Sequence, residues 1–302
     1  MMWPLDPPSV SADDSYRACT ESIRDRAAKP GSEGKPGKPA RAYRSLLAAA
    51  APDVGAASRR FEIAALGSTL HDLKAADFKV PGFEDDEAHQ VIYGRGMVGN
   101  TAGRVIYDAL MAAPAHERCP FCGHGMVREL DHHLPKTSHP ALCVTPLNLV
   151  PACRDCNKIK GTFTPRTADT VLIHPYFDRI DNEPWLNASV VHTPDPTLDF
   201  VIDPPDSWDQ VITNRVEHHF ELFGLKRVFG TQANRLVSNI RHGVERLVRT
   251  AGAEAVRAYL REEAETRFES RLNGWEGVTF HALAEDDWFC QGRFMDEADL
   301  AD

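Results

Sequence analysis

Two Cys-x-x-Cys pairs, Cys119-Pro-Phe-Cys122 and Cys153-Arg-Asp-Cys156, stand thirty residues apart in a chain of 302. Four thiolates in two tight knuckles match the tetrahedral coordination of zinc and leave no open position for a substrate. The site they predict is therefore structural. A gap of thirty residues exceeds the usual distance between paired knuckles, so folded chain must lie between them. Cys19, Cys143 and Cys290 have no partner at ligand spacing and read as buried small hydrophobes.

Between the pairs run Leu130-Asp131-His132-His133-Leu134-Pro135-Lys136 and then Asn148-Leu149-Val150-Pro151. Asn157 follows Cys156 directly, with Lys160 close behind it. A carboxylate, an imidazole and an amide oxygen are the kit for one hard divalent cation and a general base. An ion of the Mg2+ or Mn2+ type takes oxygen ligands and keeps several waters, so Asp131 and Asn157 suffice from the protein. The imidazole of His132 titrates near neutrality and can take a proton from an attacking water. Zinc at the knuckles would draw the Asp131–His132 segment toward the helix that carries Asn157. Phe121, Leu149 and Val150 read as core beneath this segment.

The order Cys-x-x-Cys, Asp-His-x-x-Pro, Asn-Leu, Cys-x-x-Cys-Asn-x-x-Lys, from Cys119 to Lys160, resembles the HNH endonucleases of the ββα-metal (His-Me finger) group. The resemblance implies Asp131 as first ligand of a catalytic Mg2+ or Mn2+, His132 as general base and Asn157 as the third-position ligand, which is His or Asn in the family. It implies Asn148 as the brace of the loop and Lys160 as the basic residue one helical turn later. The implied reaction is hydrolysis of phosphodiester bonds in nucleic acid, DNA rather than RNA. His132 would activate water, and Lys160 or Lys136 would steady the phosphate. One departure opens a second frame. His133 stands where the pattern usually has an aliphatic or aromatic residue, and colicin-type enzymes use a His-His pair as ligand then base. That frame makes His132 the ligand and His133 the base. Asp131 before the pair and Pro135 after it favour the first frame. Adjacent strand residues face opposite sides, so only one of the two histidines can point squarely into the site. His133 is then expected to pack or to touch a phosphate, and His139 to lie on a surface loop.

Together with His174-Pro175-Tyr176-Phe177-Asp178, the same residues resemble a bacterial HNH subgroup found beside anti-phage ATPases. That match implies an antiviral defence effector with an ATPase or other regulatory protein as partner. The competing reading is a non-catalytic zinc module that binds nucleic acid or protein. It accounts for the cysteines but gives no reason for Asp131, His132, Asn148 and Asn157 to fall in this order.

These residues need elements to hold them. The expected fold class is α+β: a mostly helical chain with a central zinc-stabilised ββα-metal module. Residues 1–112 read as helical, with a flexible loop at about 29–41 rich in Pro, Gly and Lys; 113–166 hold the nuclease module; 167–302 are mainly helical. Tyr43, Leu46 and Leu47, and later Ile106, Ala109 and Leu110, recur at helical spacing. A Pro-rich stretch through Pro205 reads as loops and short strands. From Asp206 to Arg271 helix returns, with Leu236, Ile240, Val244 and Leu247 as an apolar stripe. Arg235, Arg241, Arg246 and Arg249 lie off that stripe. They read as a solvated face, because Glu245, Glu254, Glu262 and Glu263 are interspersed with them.

The formal net charge is −10, yet the segment from Cys119 to Arg166 carries six basic and three acidic side chains. A small basic patch on an acidic body suits a protein that touches a few phosphates, not one that coats long duplex. No apolar run reaches membrane-spanning length, and the first residues lack a secretory pattern. A cytoplasmic protein without a membrane partner is expected, its cysteines reduced or metal-bound.

Overall fold

The computed structural model describes residues 3–31, 37 and 39–295. Part of the Pro/Gly/Lys-rich loop, residues 32–36 and 38, lies outside the described residues. The described chain is mostly helical with two small antiparallel sheets, an α+β composition. None of its helices is long and apolar enough to cross a membrane. The chain divides into two compact units that meet at Asp178/Arg179, so the helices of 1–112 and the cysteine–histidine segment belong to one unit.

In the first unit, helix α1 (Ala12–Thr20) starts at Ser11, whose hydroxyl accepts the Asp14 N–H. Helix α2 (Tyr43–Leu66) is built on a buried seam of Tyr43, Leu47, Ala50, Val54, Ala57, Phe61 and Ala64. Their spacings of four and three keep one stripe facing inward. Helix α3 (Asp85–His89) runs on as a π-helix, Gln90–Val98, and α4 (Thr101–Ala112) follows. At Gly96 a Cβ would lie 2.4 Å from the Cys19 carbonyl oxygen, so only glycine lets the π-helix approach α1 so closely.

These helices share their core with the chain after them. Leu130, Leu134, Leu142, Val144 and Leu149 pack into the same cluster as Leu47, Val54, Phe61, Phe78 and Ile92. Strand β1 (Glu129–His132) pairs antiparallel with β2 (Leu149–Ala152), Asp131 opposite Val150 and His132 opposite Leu149. Helix α5 (Arg154–Lys160) follows β2 immediately. Two polar contacts pin the β1–β2 connection to the helices. The Ser15 hydroxyl donates to the Val144 carbonyl at 2.7 Å, and the Ser58 and Thr145 hydroxyls meet at 2.7 Å.

In the second unit, β3 (Leu186–Val191) and β4 (Thr197–Ile202) form a hairpin. Helices α6 (Gln210–Leu222), α7 (Leu225–Ala251), α8 (Ala253–Ser270), α9 (Trp275–Glu285) and α10 (Asp287–Cys290) follow. Phe229 of α7 packs edge-on against Phe200 of β4. The buried side of α7 is Phe229, Ala233, Val237 and Val244, so the sequence stripe through Leu236, Ile240 and Leu247 is only its half-buried margin.

Candidate metal centre and the adjoining polar site

The four knuckle cysteines converge. Cys119, Cys122, Cys153 and Cys156 are all buried, and their sulfurs lie within 4.8 Å of one another. Cys122 Sγ and Cys153 Sγ are 4.0 Å apart, far beyond a disulfide bond. Zn–S bonds of about 2.3 Å in a tetrahedron place sulfurs about 3.8 Å apart, so this array can hold a metal such as zinc. The backbone is shaped for it. The Gly125 N–H donates to Cys122 Sγ at 3.3 Å, and the Cys156 N–H to Cys153 Sγ at 3.4 Å. A Cβ at Gly125 would meet the Cys153 sulfur at 2.7 Å, which reserves that position for glycine. Cys153 is also the N-cap of α5. A metal on the sulfurs would thus fix where α5 begins relative to β1 and β2. Cys19, Cys143 and Cys290 are buried and apart from the array.

Beside the array, β1 turns Asp131 toward α5. The Lys160 ammonium lies 3.0 Å from one Asp131 oxygen and 3.3 Å from the other, and donates to the His132 carbonyl at 2.7 Å. Burial pushes the Asp131 carboxyl above its usual range, against the pull of the Lys160 ammonium. Asn157, one turn before Lys160, donates its amide N–H to the Glu129 carboxylate rather than facing Asp131. Glu129 and Asp131 alternate on β1 and share its face. Glu129, Asp131, Asn157 and Lys160 therefore line one β1–α5 seam. Sequence reasoning passed over Glu129; the signal was the two-residue spacing from Asp131.

His132 faces the other way. Its Nε2 is 2.9 Å from the Cys143 carbonyl, and its ring meets Tyr93 edge-on at 4.7 Å. A carbonyl only accepts, so Nε2 carries the proton and Nδ1 the lone pair. This corrects the expectation of an imidazole that titrates near neutrality: burial, with Lys136 nearby, pushes His132 down to about 3, so the ring is neutral at physiological pH but a weaker base than a free imidazole. Lys136 lies over the Tyr93 ring at 5.2 Å and is half-buried. Of the two lysines expected near the phosphate, Lys136 is the one that reaches solvent, because the Lys160 side chain is wholly enclosed. His133 packs on His174 with ring centroids 4.2 Å apart, and Phe177 closes the His174 ring at 4.7 Å.

Asn148 is fully buried and joins the pieces. Its side-chain oxygen accepts the Leu134 N–H at 2.8 Å, and its amide donates to the Leu134 and Leu142 carbonyls at 3.0 and 3.3 Å. Its own carbonyl accepts the His133 N–H at 2.8 Å. His139 corrects an expectation: it is buried rather than a surface residue. Its ring lies edge-on to Phe78, with Ser138 Oγ 2.9 Å from its Nδ1. Its backbone N–H, tied to the Pro135 carbonyl, folds the loop back beneath the helical segment. The His174–Asp178 turn is held to the sheet by the Tyr176 hydroxyl, which donates to the Leu149 carbonyl at 2.9 Å.

The knuckle cysteines are the one group of three or more His, Cys, Asp or Glu side chains, among the described residues, spaced to share a metal. Glu129, Asp131 and Asn157 are the oxygen donors beside it, with Lys160 already on Asp131.

Compared with known proteins, the chain is 30% identical over 207 residues to protein Ea31 of Escherichia phage lambda, covering 64% of this chain and 70% of that protein. No family model and no solved structure matches it. With that identity over more than two thirds of the phage protein, the chain belongs to the family of phage lambda Ea31.

Proposed function

We propose that the chain is a metal-dependent endonuclease of the HNH type that hydrolyses phosphodiester bonds of DNA, with zinc as the structural metal at the four cysteines. The observation that carries this reading is the convergence of β1, β2 and α5 beside the thiolate array. Asp131 meets Lys160 at 3.0 Å, Asn157 stands one turn earlier, and Asn148 ties the intervening loop.

The donor set suits a hard divalent cation: the carboxylate of Asp131 and the amide oxygen of Asn157, with Glu129 on the same strand face. When bound, such a cation neutralises charge on the scissile phosphate and the leaving oxygen. The remaining work falls to the chain's own side chains. His132 is held by the Cys143 carbonyl in the tautomer that presents Nδ1 as proton acceptor. Lys136 offers a half-exposed cation on the side of β1 that carries His132. Asn148 fixes the loop that follows His132 and carries Lys136.

One observation favours the second reading, a zinc module without catalysis. Lys160 already pairs with Asp131, and Asn157 is turned to Glu129. The two readings separate in one assay. Zinc-loaded chain is incubated with supercoiled plasmid while Mg2+ or Mn2+ is titrated, alongside His132→Ala. A nuclease nicks plasmid in proportion to added cation and loses this in the variant. No cation-dependent nicking at any concentration leaves the binding module as the reading.

A further inference from the structure

Helix α7 carries a continuous row of exposed basic and hydroxyl side chains. Arg227, Thr231, Arg235, Ser238, His242, Arg246 and Arg249 follow one another at spacings of four, four, three, four, four and three, and each is exposed. That spacing keeps all seven on one helix face. At 1.5 Å per residue the row is about 33 Å long, close to one turn of B-form duplex.

The row itself contains no acidic residue, and the one acid of α7 that touches it, Glu245 beside His242, is half-buried. No exposed residue of α7 is acidic. Its one carboxylate, Glu245, is drawn aside by Arg241 at 3.0 Å and His242 at 3.2 Å. Arg241 is itself held by Asp195 at 2.7 Å, and Lys226 by Asp199 at 2.8 Å, so these two cations are neutralised locally. Arg227, Arg235, Arg246 and Arg249 have no carboxylate partner among the described residues, and Arg249 meets the Met295 sulfur at 3.9 Å. The other acids interspersed in the sequence, Glu254, Glu262 and Glu263, sit on α8. Three of the four interspersed acids thus belong to another helix, and the fourth, Glu245, is half-buried. A merely solvated face gains nothing from excluding carboxylates over this length. A face for a polyanion does, because each Asp or Glu within it would repel the ligand.

We propose that this α7 face is a docking surface for the sugar–phosphate backbone of duplex DNA. The inference deepens the nuclease reading by assigning a substrate-holding surface outside the cysteine–histidine segment. The four arginines would each meet a phosphate as a charge-assisted donor, while the Thr231 hydroxyl supplies a polar contact between them. No base is read, so affinity should be independent of sequence and steeply dependent on salt.

The test uses the full-length, zinc-loaded chain and a fluorescein-labelled 20-base-pair duplex, without added divalent cation. Anisotropy is measured between 50 and 300 mM NaCl for wild type and two quadruple variants, both checked for native circular dichroism. In one, Arg227, Arg235, Arg246 and Arg249 become Gln; in the other they become Lys. Each phosphate contact contributes about 0.9 to the slope of log affinity against log salt. The Gln variant should therefore lose about 3.6 of slope and at least about tenfold in affinity, while the Lys variant keeps most of the slope. Equal affinity and slope in wild type and the Gln variant overturn the proposal. Loss in the Lys variant as large as in the Gln variant overturns it too, since charge is then not what binds. The nuclease reading fails separately: chain that binds through the row but never nicks plasmid with Mg2+ or Mn2+ keeps the surface and removes the enzyme.

Discussion

Lys160 and Asp131 form an enclosed ion pair across the β1–α5 seam, the lysine side chain 0% and the aspartate 4% exposed. An ammonium withdrawn from water is costly, and here it is satisfied by two carboxylate contacts and the His132 carbonyl. The pair joins the last turn of α5 to the strand that carries both Asp131 and His132. Any cation that uses Asp131 must share the carboxylate with Lys160 or displace it.

The first expected outcome follows from that burial. Lys160→Met leaves a buried, unpartnered carboxylate and should cost about 3–5 kcal/mol, as should Asp131→Leu alone. The double variant removes both charges and should be less destabilised than the sum of the two. Urea unfolding of the zinc-loaded chain gives the cycle. Additive single costs would show that the two groups do not depend on each other.

Asn148 offers a sharper chemical contrast. Asn148→Ala strips partners from the Leu134 N–H and from the Leu134 and Leu142 carbonyls, a loss of about 2–4 kcal/mol. Asn148→Asp keeps an acceptor for the Leu134 N–H but sets oxygen against two carbonyl oxygens. It should therefore be no more stable than Asn148→Ala, although it is nearly isosteric. Thermal melts of the two variants decide this, and recovery of wild-type stability in Asn148→Asp would contradict the bonding described.

The site was legible in sequence where spacing alone constrains geometry. Two Cys-x-x-Cys pairs can converge only as knuckles, and their sulfurs do so here. The order of two short strands and a helix was an implication of the HNH resemblance, not of spacing. What could not be read was which partner each side chain takes. Asn157 turns to Glu129 because both lie at the outer end of the seam, while the longer Lys160 side chain reaches inward to Asp131. The burial of His139 depends on Phe78, sixty-one positions earlier, and local sequence carries no trace of that contact. Likewise the arginines of α7 look diluted by glutamates along the chain, and only the helix face sorts them.

For the thiolate array the expectation is about one zinc per chain and loss of folded protein in Cys119→Ser or Cys153→Ser. Cys153 should be the more damaging of the two, since it caps α5 as well as facing the other sulfurs. Metal content by elemental analysis and helicity by circular dichroism report the two effects. Folded, metal-free chain at neutral pH would remove the structural role.

Acid should unfold the chain over a defined window. Burial pushes His132 down to about 3 and also lowers His139 and His89. Unfolded histidines take up protons near about 6.5, whereas these folded ones resist. Their contribution is complete above that value and is lost as pH falls toward the folded values, at up to about 1.4 kcal/mol per pH unit for each ring. Asp131 opposes this, because its raised carboxyl takes a proton sooner in the folded state and restores some stability at the acid end. Urea midpoints should fall from pH 7.5 to 4.5, and less steeply in His139→Leu. A midpoint flat over that range would contradict the buried neutral rings.

The last prediction separates His132 from His133. The tether to the Cys143 carbonyl leaves His132 with Nδ1 as its proton acceptor, whereas His133 is pressed against His174. If His132 is the base, His132→Ala should reduce nicking by about 10² to 10⁴ while the affinity for Mn2+ stays near wild type. Asp131→Ala and Asn157→Ala should instead weaken Mn2+ binding, with partial recovery of nicking at high Mn2+. His133→Ala should melt earlier, having lost its ring contact with His174, yet keep turnover at low temperature. The colicin-like frame requires the opposite: His132→Ala loses the cation and His133→Ala loses the base. Nicking rates against Mn2+ concentration, with zinc content checked in every variant, distinguish the two. A folded, zinc-loaded His133→Ala that binds Mn2+ normally but cannot nick would move the base by one residue.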